Sequence, residues 1–334
     1  MTLISLGDLA QSYLLRRQST GVKADIQRLS TELTTGRVTD TATRVSGDMV
    51  PISGIDTSLA RLKGFGEVTS EAALFTGAMQ TALGTVDDMA SGLASSLLSA
   101  SSSAAPSRLD AVASDARQQF ETAVSLLNTR FGDRSLFSGT SSASAALISA
   151  DDLLTTLEGV VSGATSGADV EMALTAWFAA PSGFAATAYS GGEASGSVMI
   201  APGEVANIGL TAKDPILGAT LKGLAMAALL DRGLFANQPH TRQNVAQRAG
   251  LALTENQTAR AHLMARLGTV QAQIDSAAIR NEAETSALNL ARGALVEADP
   301  YETALRLQEA ESQLEKIFTI TARMSRLSLV DFLR

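Results

Sequence analysis

Cysteine is absent from all 334 residues, which removes disulfides, thiolate nucleophiles, iron-sulfur clusters and cysteine-held zinc together. Histidine occurs twice, at His240 and His262, with no HExxH spacing, so a zinc site would need several carboxylates and each imidazole reads as a surface side chain. Aromatic residues make up only 4% against 45% hydrophobic; the apolar content is largely Ala and Leu, which favours long helices over a ring-packed core. Basic charge is also short. With 26 Lys and Arg against 34 Asp and Glu the net charge is −8, which argues against nucleic acid or an anionic membrane surface as a partner.

Long hydrophobic runs are missing too. The longest uncharged window, residues 172–192, contains Pro181, Gly183, Gly191 and Gly192, a poor composition for a bilayer helix, so no membrane insertion is expected. Residues 1–12 carry Asp8 and no apolar signal core, so export would need a route without a cleaved signal peptide. No G-x-S-x-G elbow, P-loop or G-x-G-x-x-G occurs, and SGGEASGS at 190–197 reads as a flexible loop. Asp87 with Asp88 and Asp151 with Asp152 are sequence neighbours that point to different helix faces, and the second pair suits the start of a helix. Asn256-Gln257-Thr258 fits a glycosylation sequon inside a helical pattern, where chance accounts for it. Trp177 and Phe178 read as core. No catalytic, cofactor-binding or metal residue is expected, and the chain reads as a non-enzyme.

What is present is helical rhythm at both ends. Leu15, Ser19, Val22, Ile26, Leu29, Leu33 and Gly36 alternate by fours and threes along one helix face, and Thr34-Thr35-Gly36 supplies a stop. Further helices are expected over residues 55–99 and 109–130. From about 138 to 241 the texture turns to Ser, Gly and Ala; within it residues 198–211 read as strand, Pro202-Gly203 turn, strand, and Asp214-Pro215 opens another helix. Leu263, Leu267, Val270, Ile274, Ala277, Asn281, Glu284, Leu288, Ala291, Leu295 and Ala298 then form a long seam, roughly 50 Å if helical throughout, with Asn281 placed to fix register. Asp299-Pro300 interrupts it. Leu307, Ala310, Leu314, Ile317, Thr321, Met324 and Ser328 resume the rhythm, and Leu327, Leu329, Val330, Phe332 and Leu333 make an apolar end.

The expected fold is therefore mainly α with a small α+β insertion: long terminal helices packed as a coiled-coil-like rod around a turn-rich middle domain holding a β-hairpin. The boundaries read as 1–140 and 246–334 for the two halves of the rod, with 141–245 between them.

Several segments resemble a known superfamily. Residues 298–334, ADPYETALRLQEAESQLEKIFTITARMSRLSLVDFLR, resemble the C-terminal helix of flagellins and hook-associated proteins. LSTELTTGR at 29–37 resembles the end of the superfamily's N-terminal helix, and SLFSGT at 135–140 is similar to a segment of the hook-filament junction family (FlgL, hook-associated protein 3). The hairpin region followed by Asp214-Pro215 is similar to alphaproteobacterial members. The Asp-Asp-Pro or Asp-Asp-Ala-Ala signature that usually follows the first helix is replaced by TDTATRVSGDMVP at 39–51.

The resemblance implies a structural, extracellular flagellar subunit, exported without a cleaved signal and joining hook to filament; flagellin itself, or a secreted tip protein of a type III system, are the alternatives. Its implied partners are other copies of itself, an adjacent hook-associated protein, flagellin and an export chaperone. The implied assembly surface comprises Leu15, Val22, Ile26, Leu29 and Leu33 on the first helix, and Leu263, Leu267, Val270, Ile274, Leu288, Leu295, Leu307, Leu314, Ile317, Met324, Leu327, Leu329, Phe332 and Leu333 toward the C-terminus.

Overall fold

The computed structural model describes residues 6–103, 105–194 and 196–332, with side chains described between residues 10 and 324 of these. In chain order the elements are α1 (Leu6–Thr35), α2 (Thr41–Arg44), α3 (Val50–Ser101), α4 (Pro106–Leu127), β1 (Arg130–Phe131), β2 (Arg134–Ser135), α5 (Ala150–Val161), α6 (Gly167–Ala179) and α7 (Phe184–Thr187). They continue with β3 (Ser197–Ala201), β4 (Glu204–Asn207), α8 (Pro215–Asp231), α9 (Pro239–Glu255), α10 (Gln257–Val296) and α11 (Pro300–Phe332). The protein is mainly helical, with two small antiparallel hairpins.

Local chemistry sets most boundaries. Gly36, at φ +67°, ends α1 and donates its amide to the Glu32 carbonyl at 2.8 Å, a left-handed stop that a residue with a Cβ adopts with strain. Ser149 caps α5, Ser166 and Asp169 form a reciprocal capping box on α6, and Asp214 with Pro215 opens α8. Asp299 accepts the amides of Tyr301 and Glu302 at 2.8 and 3.1 Å, so the Asp-Pro pair ends one helix and starts the next, as its sequence implies.

The chain forms two compact units, residues 1–61 with 283–334, and residues 62–282. These differ from the boundaries expected at 140 and 245. The reason lies in α8, which is apolar all round and buried on every side, packing against α4, α5, α6 and α9. Residues 141–245 cannot enclose that helix alone; α4 and the remainder of α9 supply part of its walls, and the compact unit extends from Leu62 to Glu282.

Within this larger unit the SLFSGT segment is interior. Leu136 and Phe137 are buried, the Phe137 carbonyl accepts from Ala212 N at 2.9 Å, the Ser138 carbonyl from Gly192 N at 2.8 Å, and Thr140 N donates to the Glu193 carbonyl at 2.9 Å. Gly139 sits at φ +62°, and a Cβ there would lie 2.1 Å from the Glu193 oxygen. Its backbone can be approached this closely only without a side chain.

The expected hairpin is present, shorter on its second strand: β3 pairs with β4 around Pro202 and Gly203, the latter at φ +74°. An irregularity between Met199 and Ala201 takes Ile200 out of the ladder, and its carbonyl accepts from Asn281 Nδ2 at 2.8 Å. Arg280 pairs with Glu204, and Gln273 Nε2 reaches the Val205 carbonyl at 3.1 Å. Asn281 therefore fastens the hairpin to α10; the expectation that it fixes a helix-helix register is corrected.

Arg260 is buried and joins three segments, donating to Asp87 at 2.6 Å, the Leu253 carbonyl at 2.9 Å and Ser91 at 3.2 Å.

Candidate assembly surface

The smaller unit is built on α1 packed against α11. Their polar faces are wide and each carries one apolar stripe, so a two-helix pair encloses only the strip where the stripes meet. Val22 and Leu29 of α1 and Ile317 of α11 are buried there; Leu15, Ile26, Leu307, Leu314 and Met324 are half-buried. The Lys23 ammonium lies 5.5 Å from the centre of the Phe318 ring.

Leu33 departs from the seam assigned to it. It is 39% exposed, and Glu32 takes the inward place at 5%. The stripe steps from Leu29 by three instead of four, because the Glu32 carboxylate accepts the Thr39 amide at 2.9 Å where the chain turns away from α1. Arg28 lies against Glu32 at 3.4 Å and Asp25 at 3.1 Å; the Asp25 bond first, then the charge of Glu32, raise its pKa further above the ordinary guanidinium range.

This turn is a clasp. Val38 N donates to the Val296 carbonyl and Ala298 N to the Gly36 carbonyl, both at 3.0 Å, and Arg37 and Glu297 form an antiparallel bridge. A groove of about 370 Å³ lies beside it, its charged lining drawn from Arg28, Glu32, Asp40, Arg44, Asp299, Glu302 and Arg306. Sequence periodicity gave no sign of the clasp, since its bonds are made by backbone and by one glutamate that breaks the apolar rhythm.

The two units bury apolar side chains very differently. Among the described residues the smaller one has six buried apolar side chains, Val22, Leu29, Ile52, Val296, Ala298 and Ile317, each still partly accessible, whereas many in the larger are wholly enclosed. Of seventeen large apolar side chains exposed to solvent among the described residues, ten belong to the smaller unit, including Tyr13, Leu14, Leu290, Tyr301, Phe318 and Ile320. Bare apolar surface at that density on so small a unit is what an interaction face requires.

The remaining interface residues expected from sequence divide three ways. Leu288 and Leu295 belong to the smaller unit and are half-buried. Leu263, Leu267 and Ile274 are enclosed in the core of the larger unit, with Val270 packed against it. Leu263, Leu267 and Ile274 are corrected: they face inward on their own unit, while Val270 keeps a partly accessible side chain. Leu327, Leu329, Phe332 and Leu333 lie outside the described side chains.

Other singled-out residues resolve simply. His240 and His262 are exposed; Asp87 faces Arg260 while Asp88 points to solvent. Trp177, Phe178 and Phe184 form one aromatic cluster, with centroid separations of 5.0 to 5.9 Å. At the break between α9 and α10 the Asn256 carboxamide donates to the Ile216 carbonyl at 2.9 Å and the Thr220 hydroxyl at 2.8 Å, both on α8. No group of three or more His, Cys, Asp or Glu among the described residues could hold a metal ion, and no described helix is long and apolar enough to cross a membrane.

Residues 250–333 match the bacterial flagellin C-terminal helical region. This flagellin-type region takes in the end of α9, all of α10 and α11, and so contributes to both units. The fold as a whole is similar to a solved structure described as a "putative flagellar hook-associated protein" from Vibrio parahaemolyticus, with a TM-score of 0.55 and 13% identity over 75% of this chain and 99% of that one. No curated protein matches the chain.

Proposed function

We propose that the protein is a structural subunit of the bacterial flagellum that forms the junction between hook and filament and assembles through its α1/α11 unit. The observation that carries this reading is the unequal burial of the two units: one has a closed core, and the other, among its described residues, buries six apolar side chains and leaves ten large ones exposed. Each large side chain covered on assembly contributes roughly 1.5 to 3 kcal/mol, so a neighbouring subunit supplies what the helix pair cannot supply alone. The flagellin-type C-terminal region, the hook-associated fold and the SLFSGT resemblance support the assignment, and they carry with them the extracellular location and export without a cleaved signal. The subunit's partners are other copies, an adjacent hook-associated protein, flagellin and an export chaperone.

The test removes residues 325–334 and asks whether the shortened chain supports filament growth in cells lacking the full-length protein. Loss of growth, with an unchanged unfolding transition of the larger unit read from its single Trp177, is expected. A truncated chain that restores growth would overturn the assignment of this end to assembly. Flagellin is the second reading, favoured by the family of the C-terminal match; copies per flagellum separate the two, because a junction occupies one short zone and flagellin fills the filament.

A further inference from the structure

Charge along the α1/α11 pair is strongly polarised. In the half next to the clasp, residues 24–35 and 300–315, Arg28 and Arg306 stand against Asp25, Glu32, Glu302, Glu309, Glu311 and Glu315, a net −4. In the other half, residues 6–23 and 316–332, Arg16, Arg17, Lys23, Lys316, Arg323 and Arg326 stand against Asp8 and Asp331, a net +4. Composition hides this entirely, since the two halves cancel.

The ion pairs follow the same division. Among the described residues Arg28 pairs with Asp25 and Glu32, and Arg306 with Glu302, all in the clasp half; Arg16, Arg17, Lys23, Lys316 and Arg323 are exposed and make no ion pair. Glu309, Glu311 and Glu315 are likewise exposed with no cation paired to them. Each half therefore carries charge of one sign that its own unit leaves unneutralised, beside apolar side chains left bare: Tyr13, Leu14, Phe318 and Ile320 in the basic half, Tyr301 and Leu305 in the acidic half.

We infer that the occupant of this face is a second copy of the chain, running parallel and displaced along the helix pair by about half its length, so that the basic half of one copy lies on the acidic half of the next. This rests on the assembling-subunit reading above. Parallel copies side by side without displacement would set +4 on +4 and −4 on −4, which opposite halves avoid. With 33 residues in α11, half its length is about 25 Å. The contact is heterologous, so it repeats along one direction and leaves an acidic half free at one end and a basic half at the other. Charge sets register and approach rate; the apolar side chains supply most of the affinity.

Two full-length variants test it: Arg16→Glu with Arg17→Glu, and Glu309→Arg with Glu311→Arg. All four positions are exposed, and circular dichroism with Trp177 emission checks that each variant is folded. Self-association is followed by sedimentation and scattering, and incorporation into flagella by complementation. Each variant alone is expected to associate at least about tenfold more weakly than the wild type, because two substitutions take its altered half from +4 or −4 to zero, and an equimolar mixture to recover at every second contact, where the unaltered basic half of one variant meets the unaltered acidic half of the other. Wild-type association is expected to fall about tenfold from roughly 0.1 M to roughly 1 M salt, as the screening length shortens from about 10 to about 3 Å.

Variants that associate and incorporate like the wild type would overturn the displaced pairing and leave the structural role intact. So would a mixture that fails to recover, or a closed dimer as the terminal species, which is what antiparallel pairing of the same halves gives. Wild-type protein that does not incorporate at all would overturn the functional reading itself.

Discussion

Glu32→Ala isolates the clasp. The substitution removes an acceptor that is 5% exposed and holds the Thr39 amide at 2.9 Å. A hydrogen bond to a charged group contributes about 1.5 to 3 kcal/mol, and the Thr39 amide left behind loses its protein acceptor. The Arg28 contact adds little, since its guanidinium is 43% exposed and lies 3.4 Å away. A local loss of about 2 kcal/mol follows, and at about 1.4 kcal/mol per tenfold it raises the opening equilibrium of the clasp roughly 30-fold. Hydrogen exchange with mass spectrometry reads it directly: the Val38, Thr39 and Ala298 amides should exchange about 30-fold faster, while Trp177 emission, which reports the larger unit, should unfold at an unchanged denaturant midpoint. Glu32→Gln keeps an uncharged acceptor and should show less than half of the energetic effect. Unaltered exchange at Thr39, or a glutamine variant as damaged as the alanine one, would refute the role given to this carboxylate.

Gly139→Ala should cost the larger unit about 3 kcal/mol or more, from its positive φ and its approach to the Glu193 carbonyl, whereas Gly77→Ala, in open space within α3, should gain about 0.5 to 1 kcal/mol; urea titrations of Trp177 emission check both. Asn281→Leu should destabilise the same unit by about 1 kcal/mol or more, since the Ile200 carbonyl loses a donor 2.8 Å away and leaves no room for a methyl group; a raised midpoint would restore the seam interpretation. The Asp169 carboxyl is held below its ordinary pKa, first by the Thr165 hydroxyl and then by backbone and Ser166 bonds, so its cap on α6 should be fully present above pH ~4 and lost as pH falls through the lower folded value, read as faster exchange in the first turn of that helix. Brief proteolysis of dilute protein should cut within about the first 40 and last 40 residues before touching the larger unit; equal resistance of both units would contradict the weak burial of the α1/α11 pair.

The helices were legible because their signals are local and repeated. The stripes of Val22 and Leu29, the Gly36 stop, the Asp299-Pro300 break and the Pro202-Gly203 hairpin each rest on residues within a few positions of one another. The division into units was not, since it depends on which distant helices enclose α8, and periodicity states that a face is buried without naming what buries it. Leu263, Leu267, Val270 and Ile274 show the limit plainly: they continue the same rhythm as Leu288 and Leu295 but pack into the core of a different unit. Asn281 was misplaced for a related reason, and Leu33 was given the inward place that Glu32 takes. A polar residue on an apolar stripe reads as a register device, and only the fold reveals the amide or carbonyl it answers.

The smaller unit joins residues 1–61 to residues 283–334, with 221 residues of the other unit between them. Closing so long a flexible loop would cost about 5 kcal/mol in chain entropy before any contact formed, a large share of what the six incompletely buried apolar side chains among the unit's described residues contribute. If residues 62–282 fold first, their ends are already fixed and most of that cost has been met by a core that needs no help. Folding order thus becomes a timing device: the α1/α11 pair closes only after everything between its strands of sequence has been made and has folded, and it is the first part to open again. A chain threaded through a narrow passage would carry its assembly surface incomplete until its last residues emerged.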